Sequence, residues 1–171
     1  MKIRYQEIME KIYLVCIVLS AAAVVVMTAI IPYGVFMRYL VHSPQSWPEP
    51  LAVLLMIVFT FIGGAGVYRA QVHIRINALL DLVAPRVRAK MLLVSDMLMV
   101  LACLFMLGYG AILVRTTWAQ SIAEFPGLSV GLTYLPIPVS GFLTLLFVIE
   151  YLWIGAPPAT SIIYQDQPQS E

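Results

Sequence analysis

Apolar and polar positions in this chain fall into long blocks. Ile12 to Ile31 is a run of apolar and small residues, and Leu51 to Tyr68 carries no charge. Met91 to Val114 carries one charge, Asp96, and Pro136 to Ile154 carries one, Glu150. Each block is close to the about 20 residues a helix needs to cross a bilayer. The pattern predicts an all-α integral membrane protein with a single domain over residues 1–155. Its transmembrane helices lie at about 12–32, 51–68, 91–114 and 136–154.

The first block has to be separated from a signal peptide. Ser20-Ala21-Ala22-Ala23 imitates a cleavage site, but the apolar run continues to Ile31, beyond the usual core of about 7–15 residues. It reads as an uncleaved helix, with Pro32 and Gly34 expected to kink its far end.

Between the second and third blocks, Ile76, Leu79, Leu80, Val83 and Val87 recur at helical spacing while charged residues fall mostly elsewhere. Asn77 can cap the start, and Pro85 should end the element near Val83. The expectation is a short amphipathic interfacial helix lying on membrane lipid; the alternative is an irregular loop. Arg115 to Gly131 reads as a plain connection. Tyr134-Leu135-Pro136-Ile137-Pro138 opens the fourth span, where prolines suit a first turn, and Tyr151 and Trp153 close it as an aromatic belt. Residues 156–171, with several prolines, glutamines and serines, are expected to be a disordered tail.

Composition supports the membrane reading. The chain is 61% hydrophobic and 11% charged, against about 25% charged in soluble domains. A net charge of +1 offers no basic excess for nucleic acid. Cys16 and Cys103 both fall inside apolar spans, without metal-ligand spacing or a disulfide framework, and read as buried thiols.

The placement of charge sets the orientation. Lys2, Arg4, Lys11, Arg69, Arg75, Arg86, Arg88 and Lys90 lie on one side of the predicted spans, Arg38 and Arg115 on the other. Eight of the ten basic residues thus mark the cytoplasmic side and place both termini there. The Trp47 corner and the Trp118 connection then face outward.

An ionisable group inside a membrane is a functional candidate by default. Asp96 lies about 9 Å along its helix from Lys90, at about 1.5 Å per residue. It is either a structural partner of a basic residue such as Arg69 or an ion site; the structural pair is the simpler reading. Glu150, beside Tyr151 and Trp153, is expected at the interface. Arg38 and Arg115 either snorkel to the outer surface or hold a partner's carboxylate. His73 has no neighbouring Cys or His and reads as a hydrogen-bonded interfacial residue. Trp47 and Glu49 read as an interfacial anchor and a helix-start acid. Gly63-Gly64-Ala65-Gly66 permits close helix approach, either within the chain or against another subunit. No nucleophile triad, P-loop or dinucleotide fingerprint appears.

These residues together resemble the small membrane subunit of tripartite ATP-independent periplasmic (TRAP) transporters. Trp47 and Glu49 precede the second span, and Gly63-Gly64-Ala65 and Tyr68-Arg69 close it. His73-Ile74-Arg75-Ile76-Asn77 follows, similar to the family's His-Ile-x-Val-Asp, and Tyr134-Leu135-Pro136 opens the fourth span. The similarity runs over about residues 5–155. Two positions depart from the pattern: Pro50 stands where a second acid is common, and Asn77 replaces Asp.

The resemblance implies a scaffold subunit in a bacterial inner membrane. It would support a large elevator-type membrane subunit that takes up an organic acid, such as a C4-dicarboxylate, a sugar acid or sialic acid. A periplasmic binding protein would deliver the acid, and sodium would bind in the large subunit, not in this chain. Arg38, Trp47, Glu49, Gly63, Gly64, Arg69, His73, Asn77 and Asp96 become candidate partner-contact or structural residues.

Two other classes compete. A stand-alone small transporter, such as a four-helix multidrug exporter, needs an acid deep in the first helix, and Ile12 to Ile31 has none. A small four-helix membrane enzyme could use Arg69, His73, Arg75 and Arg115. It lacks a nucleophile or acid–base pair, and its basic residues are predicted on opposite membrane faces.

Overall fold

The computed structural model describes residues 2–70 and 85–154. The elements in chain order are helix α1 (Lys2–Tyr39), α2 (Pro48–Arg69) and α3 (Pro85–Thr117), strands β1 (Ser121–Ile122) and β2 (Phe125–Ser129), then α4 (Val130–Tyr134) and α5 (Pro136–Ile154). Four helical segments are long and apolar enough to cross a membrane: Arg4–Tyr39, Pro48–Arg69, Lys90–Thr117 and Val130–Trp153. The four spans expected from the hydropathy pattern are therefore present. The interfacial helix expected around 76–87 falls mainly on residues outside the described ones, as do His73, Asn77 and the tail.

Several boundaries differ from the expected ones. Helix α1 begins ten residues earlier than the apolar run and continues through Pro32. A helix need not stop where its apolar face stops, and a proline inside a membrane span is tolerated when neighbouring groups re-satisfy the freed carbonyl. Pro85, expected to end a surface helix, instead opens α3; a first-turn proline loses no helical hydrogen bond. Pro48 and Pro50 play the same part in α2, as do Pro136 and Pro138 in α5.

The four long helices form an open row in the order α1, α2, α5, α3, each packing mainly on its neighbour in that order. Small residues make the close contacts between them. A β-carbon placed on Gly63 would lie 3.1 Å from Ser20 Oγ, and one on Gly66 would lie 3.1 Å from Ile17 Cδ1. These two glycines bring α2 against the Cys16–Ser20–Ala23 stripe of α1, whose three residues are all buried. At the other end of the row, a β-carbon on Gly110 would lie 2.9 Å from Pro138 Cδ, and one on Gly141 would lie 3.1 Å from Cys103 O. Without a hydrophobic drive between helices in lipid, such van der Waals approach supplies much of the association. Two of the three glycines of the predicted patch thus pack within the chain. Gly64 meets nothing within 4 Å.

The connection after α3 is more ordered than a plain loop. Strands β1 and β2 pair antiparallel, with Ser121 opposite Ser129 and Ile122 opposite Phe125. Ser129 then caps α4. Its Oγ accepts a hydrogen bond from Gly131 N at 3.1 Å and donates one to Trp118 O at 2.6 Å. That cap satisfies an orphan helix donor and pins the hairpin to the end of α3. Cys16 and Cys103 are both buried and free.

Candidate functional site

Four charged side chains of α1, α2 and α5 pair at two levels, one at each end of α2.

At the α1–α2 corner, Arg38 Nη2 donates to Glu49 Oε1 at 2.7 Å. Arg38 is the basic residue of the last turn of α1, and Glu49 the acidic residue of the first turn of α2. Each complements the local helix dipole. The short turn between them includes His42 with φ 55°, a left-handed conformation in which His is enriched among non-glycine residues. Tyr33 and Trp47 lie beside the pair with ring centroids 5.7 Å apart, and Pro48 abuts Gly34. Arg38 retains 48% of its side-chain exposure and Glu49 75%, so this pair contributes at most about 1 kcal/mol. A small cavity of about 80 Å³ opens here, bordered by Ile31, Gly34, Arg38, Gln45, Pro48 and Glu49.

At the other end, Arg69 and Glu150 form a two-pronged pair. Arg69 Nε donates to Glu150 Oε2 at 2.8 Å, and Arg69 Nη2 donates to Oε1 at 2.9 Å. Both side chains are buried, at 3% and 4% exposure. The guanidinium carbon lies 5.5 Å from the Tyr13 ring centroid of α1 and 5.7 Å from the Phe147 ring centroid of α5. Arg69 is the last residue of α2, so the pair joins α2 to α5, with α1 packed over it. Tyr5 reinforces the junction by donating to Leu146 O at 3.2 Å and meeting Trp153 edge-on at 6.1 Å. The planar, always-charged guanidinium suits such a site because it matches a carboxylate with two parallel bonds.

This geometry corrects two sequence expectations. Glu150 is not an interfacial acid beside Tyr151 and Trp153; helical rotation turns it inward to Arg69. Asp96 does not pair with Arg69, which Glu150 occupies. Asp96 lies on the α5-facing stripe of α3 that includes Cys103 and Gly110, half-buried, with no hydrogen bond or ion pair among the described residues. Arg38 finds its carboxylate inside this chain, in Glu49. Sequence reasoning missed the Arg69–Glu150 pair, although a lone acid on an apolar span and a lone arginine at a span's end are the signal that could have suggested it.

Among the described residues, no three His, Cys, Asp or Glu side chains gather as a metal site. Arg38–Glu49 and Arg69–Glu150 act as struts between helices, and the row of spans defines a multi-pass membrane protein.

Comparison with known proteins agrees with this architecture. The family described as tripartite ATP-independent periplasmic transporters, DctQ component, matches residues 27–156. The match takes in both ion pairs and most of the four spans, and the chain belongs to this family, the small permease subunits of TRAP transporters. A Haemophilus influenzae protein named "Putative TRAP transporter small permease protein" is 23% identical over 141 residues, covering 79% of this chain and 83% of that protein.

Proposed function

We propose that this chain is the scaffold subunit of a sodium-coupled TRAP transporter for an organic acid. It stands beside a large elevator-type membrane subunit in a bacterial inner membrane. A periplasmic binding protein delivers the substrate, of a class such as C4-dicarboxylates, sugar acids or sialic acid. Sodium binds in the large subunit. Both termini face the cytoplasm, as the eight-to-two distribution of basic residues favours.

The observation that carries this reading is the open row of helices in which Glu49 and Glu150 are each tied to an arginine of a neighbouring helix. A transporter needs a midplane site built from broken helices or ionisable groups. Here Glu150 and Glu49 are each bound to an arginine of the same chain. The edge helices α1 and α3 expose long apolar faces, including Val15, Val18, Val25, Leu101 and Phe105, which suits lateral contact in the membrane.

The test is reconstitution. The chain is purified alone and together with the large membrane subunit of its transporter, and both preparations go into liposomes. Uptake of radiolabelled organic acid is measured with the binding protein outside, under a sodium gradient. Transport is expected only from the complex and only with sodium. Uptake by the lone chain would overturn the scaffold reading.

A further inference from the structure

The cavity at the α1–α2 corner changes character along its length. It measures about 80 Å³ and is bordered by Ile31, Gly34, Val35 and Arg38 of α1 and by Pro48 and Glu49 of α2. Steps of three, one and three residues put the four α1 positions on one helix face. Ile31 lies about 10 Å deeper than Arg38, at about 1.5 Å per residue. The inner end of the cavity is therefore apolar and the outer end charged. Its depth in the membrane follows from α2. Glu49 is in the first turn of α2 and Arg69 is its last residue, about 30 Å apart along the helix. That span equals the hydrocarbon core of a bilayer, about 30 Å thick. With Arg69 at one boundary, Arg38 and Glu49 stand at the other, where headgroups begin. The exposed Tyr39 and the Tyr33–Trp47 ring pair lie at the same end, as interfacial aromatic residues do.

We propose that this corner binds one phospholipid with an ethanolamine headgroup. Its phosphate meets Arg38, its ammonium meets Glu49, and the first part of one acyl chain lies over Ile31, Gly34 and Val35. Three observations support the site. First, the Arg38–Glu49 pair is single-pronged, with one hydrogen bond of 2.7 Å. Arg38 Nη1 and Glu49 Oε2 have no partner among the described residues. Opposite charges side by side complement a zwitterion, whose phosphate and ammonium are also adjacent. A ligand of one sign would be repelled by one of the two. Guanidinium suits phosphate, and a primary ammonium brings N–H donors for the carboxylate, which choline lacks. Second, the change from apolar to charged runs along the helices, the direction in which a lipid changes from chain to headgroup. Third, the cavity has no room for a partner helix, which is about 10 Å across, yet two helices wall it. The charged rim at Glu7, Glu10 and Lys11 differs, because among the described residues α1 alone borders that depression.

The experiment uses the full chain in detergent, alone and in complex with the large membrane subunit. Each is incubated with equal amounts of dioleoyl phospholipids carrying ethanolamine, choline or glycerol headgroups, and native mass spectrometry counts the lipid retained. The parent should retain one ethanolamine lipid in preference to the other two by about threefold or more, the size of one screened ion pair. Glu49→Gln should erase the preference over choline and raise retention of the anionic glycerol lipid, because Arg38 is then unopposed. Arg38→Gln should lower retention of all three. Val35 is exposed, so Val35→Phe should fill the apolar end without changing the melting temperature, and retention should fall to background. Val25→Phe, at another exposed position of α1, should leave retention unchanged. Equal retention of the three headgroups by the parent, or a preference for choline or glycerol, would overturn the proposal and leave only unselective boundary lipid. Unchanged retention by a Val35→Phe protein of parental stability would also overturn it. Loss of the lipid on assembly with the large subunit would overturn it as well and assign the corner to a protein contact.

Discussion

Arg69 and Glu150, 81 positions apart, meet through two hydrogen bonds of 2.8 and 2.9 Å inside the junction of α1, α2 and α5. One is the last residue of α2, and the other lies near the end of α5. The pair makes the C-terminal ends of two parallel spans register with each other. Its burial makes it sensitive to loss of either partner.

Removing one member should be costlier than removing both. Arg69→Met alone leaves an uncompensated buried carboxylate and should destabilise the subunit by about 3–5 kcal/mol. The double variant Arg69→Met, Glu150→Leu should recover much of that loss, because no buried charge remains. Thermal unfolding of the parent, both single variants and the double variant in one detergent measures the coupling. Additive losses would show that the pair is not a coupled strut.

The corner pair should behave differently. Arg38→Ala or Glu49→Ala should lower stability by no more than about 1 kcal/mol, because solvent screens both side chains. The effect should shrink further as salt is raised. Unfolding measured at low and high ionic strength checks this, and a loss equal to that of Arg69→Met would contradict the exposed geometry.

Gly63 and Gly64 are adjacent yet should respond oppositely. Gly63→Leu drives a side chain into Ser20 and should cost about 1–3 kcal/mol of subunit stability through overpacking. Gly64→Leu enters open space and should cost nothing measurable in the isolated subunit. Comparison of detergent-solubilised yield and melting temperature separates them, and equal losses would mean that α2 faces α1 differently.

Orientation can be read by labelling. The native thiols Cys16 and Cys103 are buried, so they should give little background with an impermeant maleimide. A cysteine introduced at Gln45, in the turn between α1 and α2, should react from the periplasmic side of intact cells. Reaction only in inverted vesicles would reverse the topology.

Asp96 should not couple transport to sodium. Asp96→Asn in the assembled complex should leave the sodium dependence of uptake unchanged, whatever it does to the amount of complex recovered. An assembled variant with normal yield but sodium-independent uptake would assign it an ion role instead.

The membrane spans were legible in the sequence because the bilayer imposes a local rule. A helix of about 20 apolar residues is needed to cross it, so 51–68 and 136–154 can be placed within a few residues from hydropathy alone. Proline chemistry is local as well, which is why the start of α5 at Pro136 was readable. The family resemblance rested on the same kind of signal, namely short motifs in order along the chain.

What only the tertiary structure decided depends on contacts between distant segments. The order α1, α2, α5, α3 cannot be read from four blocks of similar hydropathy, because lipid and protein faces are both apolar. Glu150 was misplaced because sequence neighbours, Tyr151 and Trp153, mark an interface, whereas each residue of a helix points about 100° away from the last. The β1–β2 hairpin was missed because two short strands, one containing Pro126 and Gly127, leave no periodicity to detect. The sequence alone thus determines that this chain lies in the membrane and how often it crosses. Which charge meets which, and which helix faces remain open, follows from packing, because those contacts join residues that only the folded chain brings together.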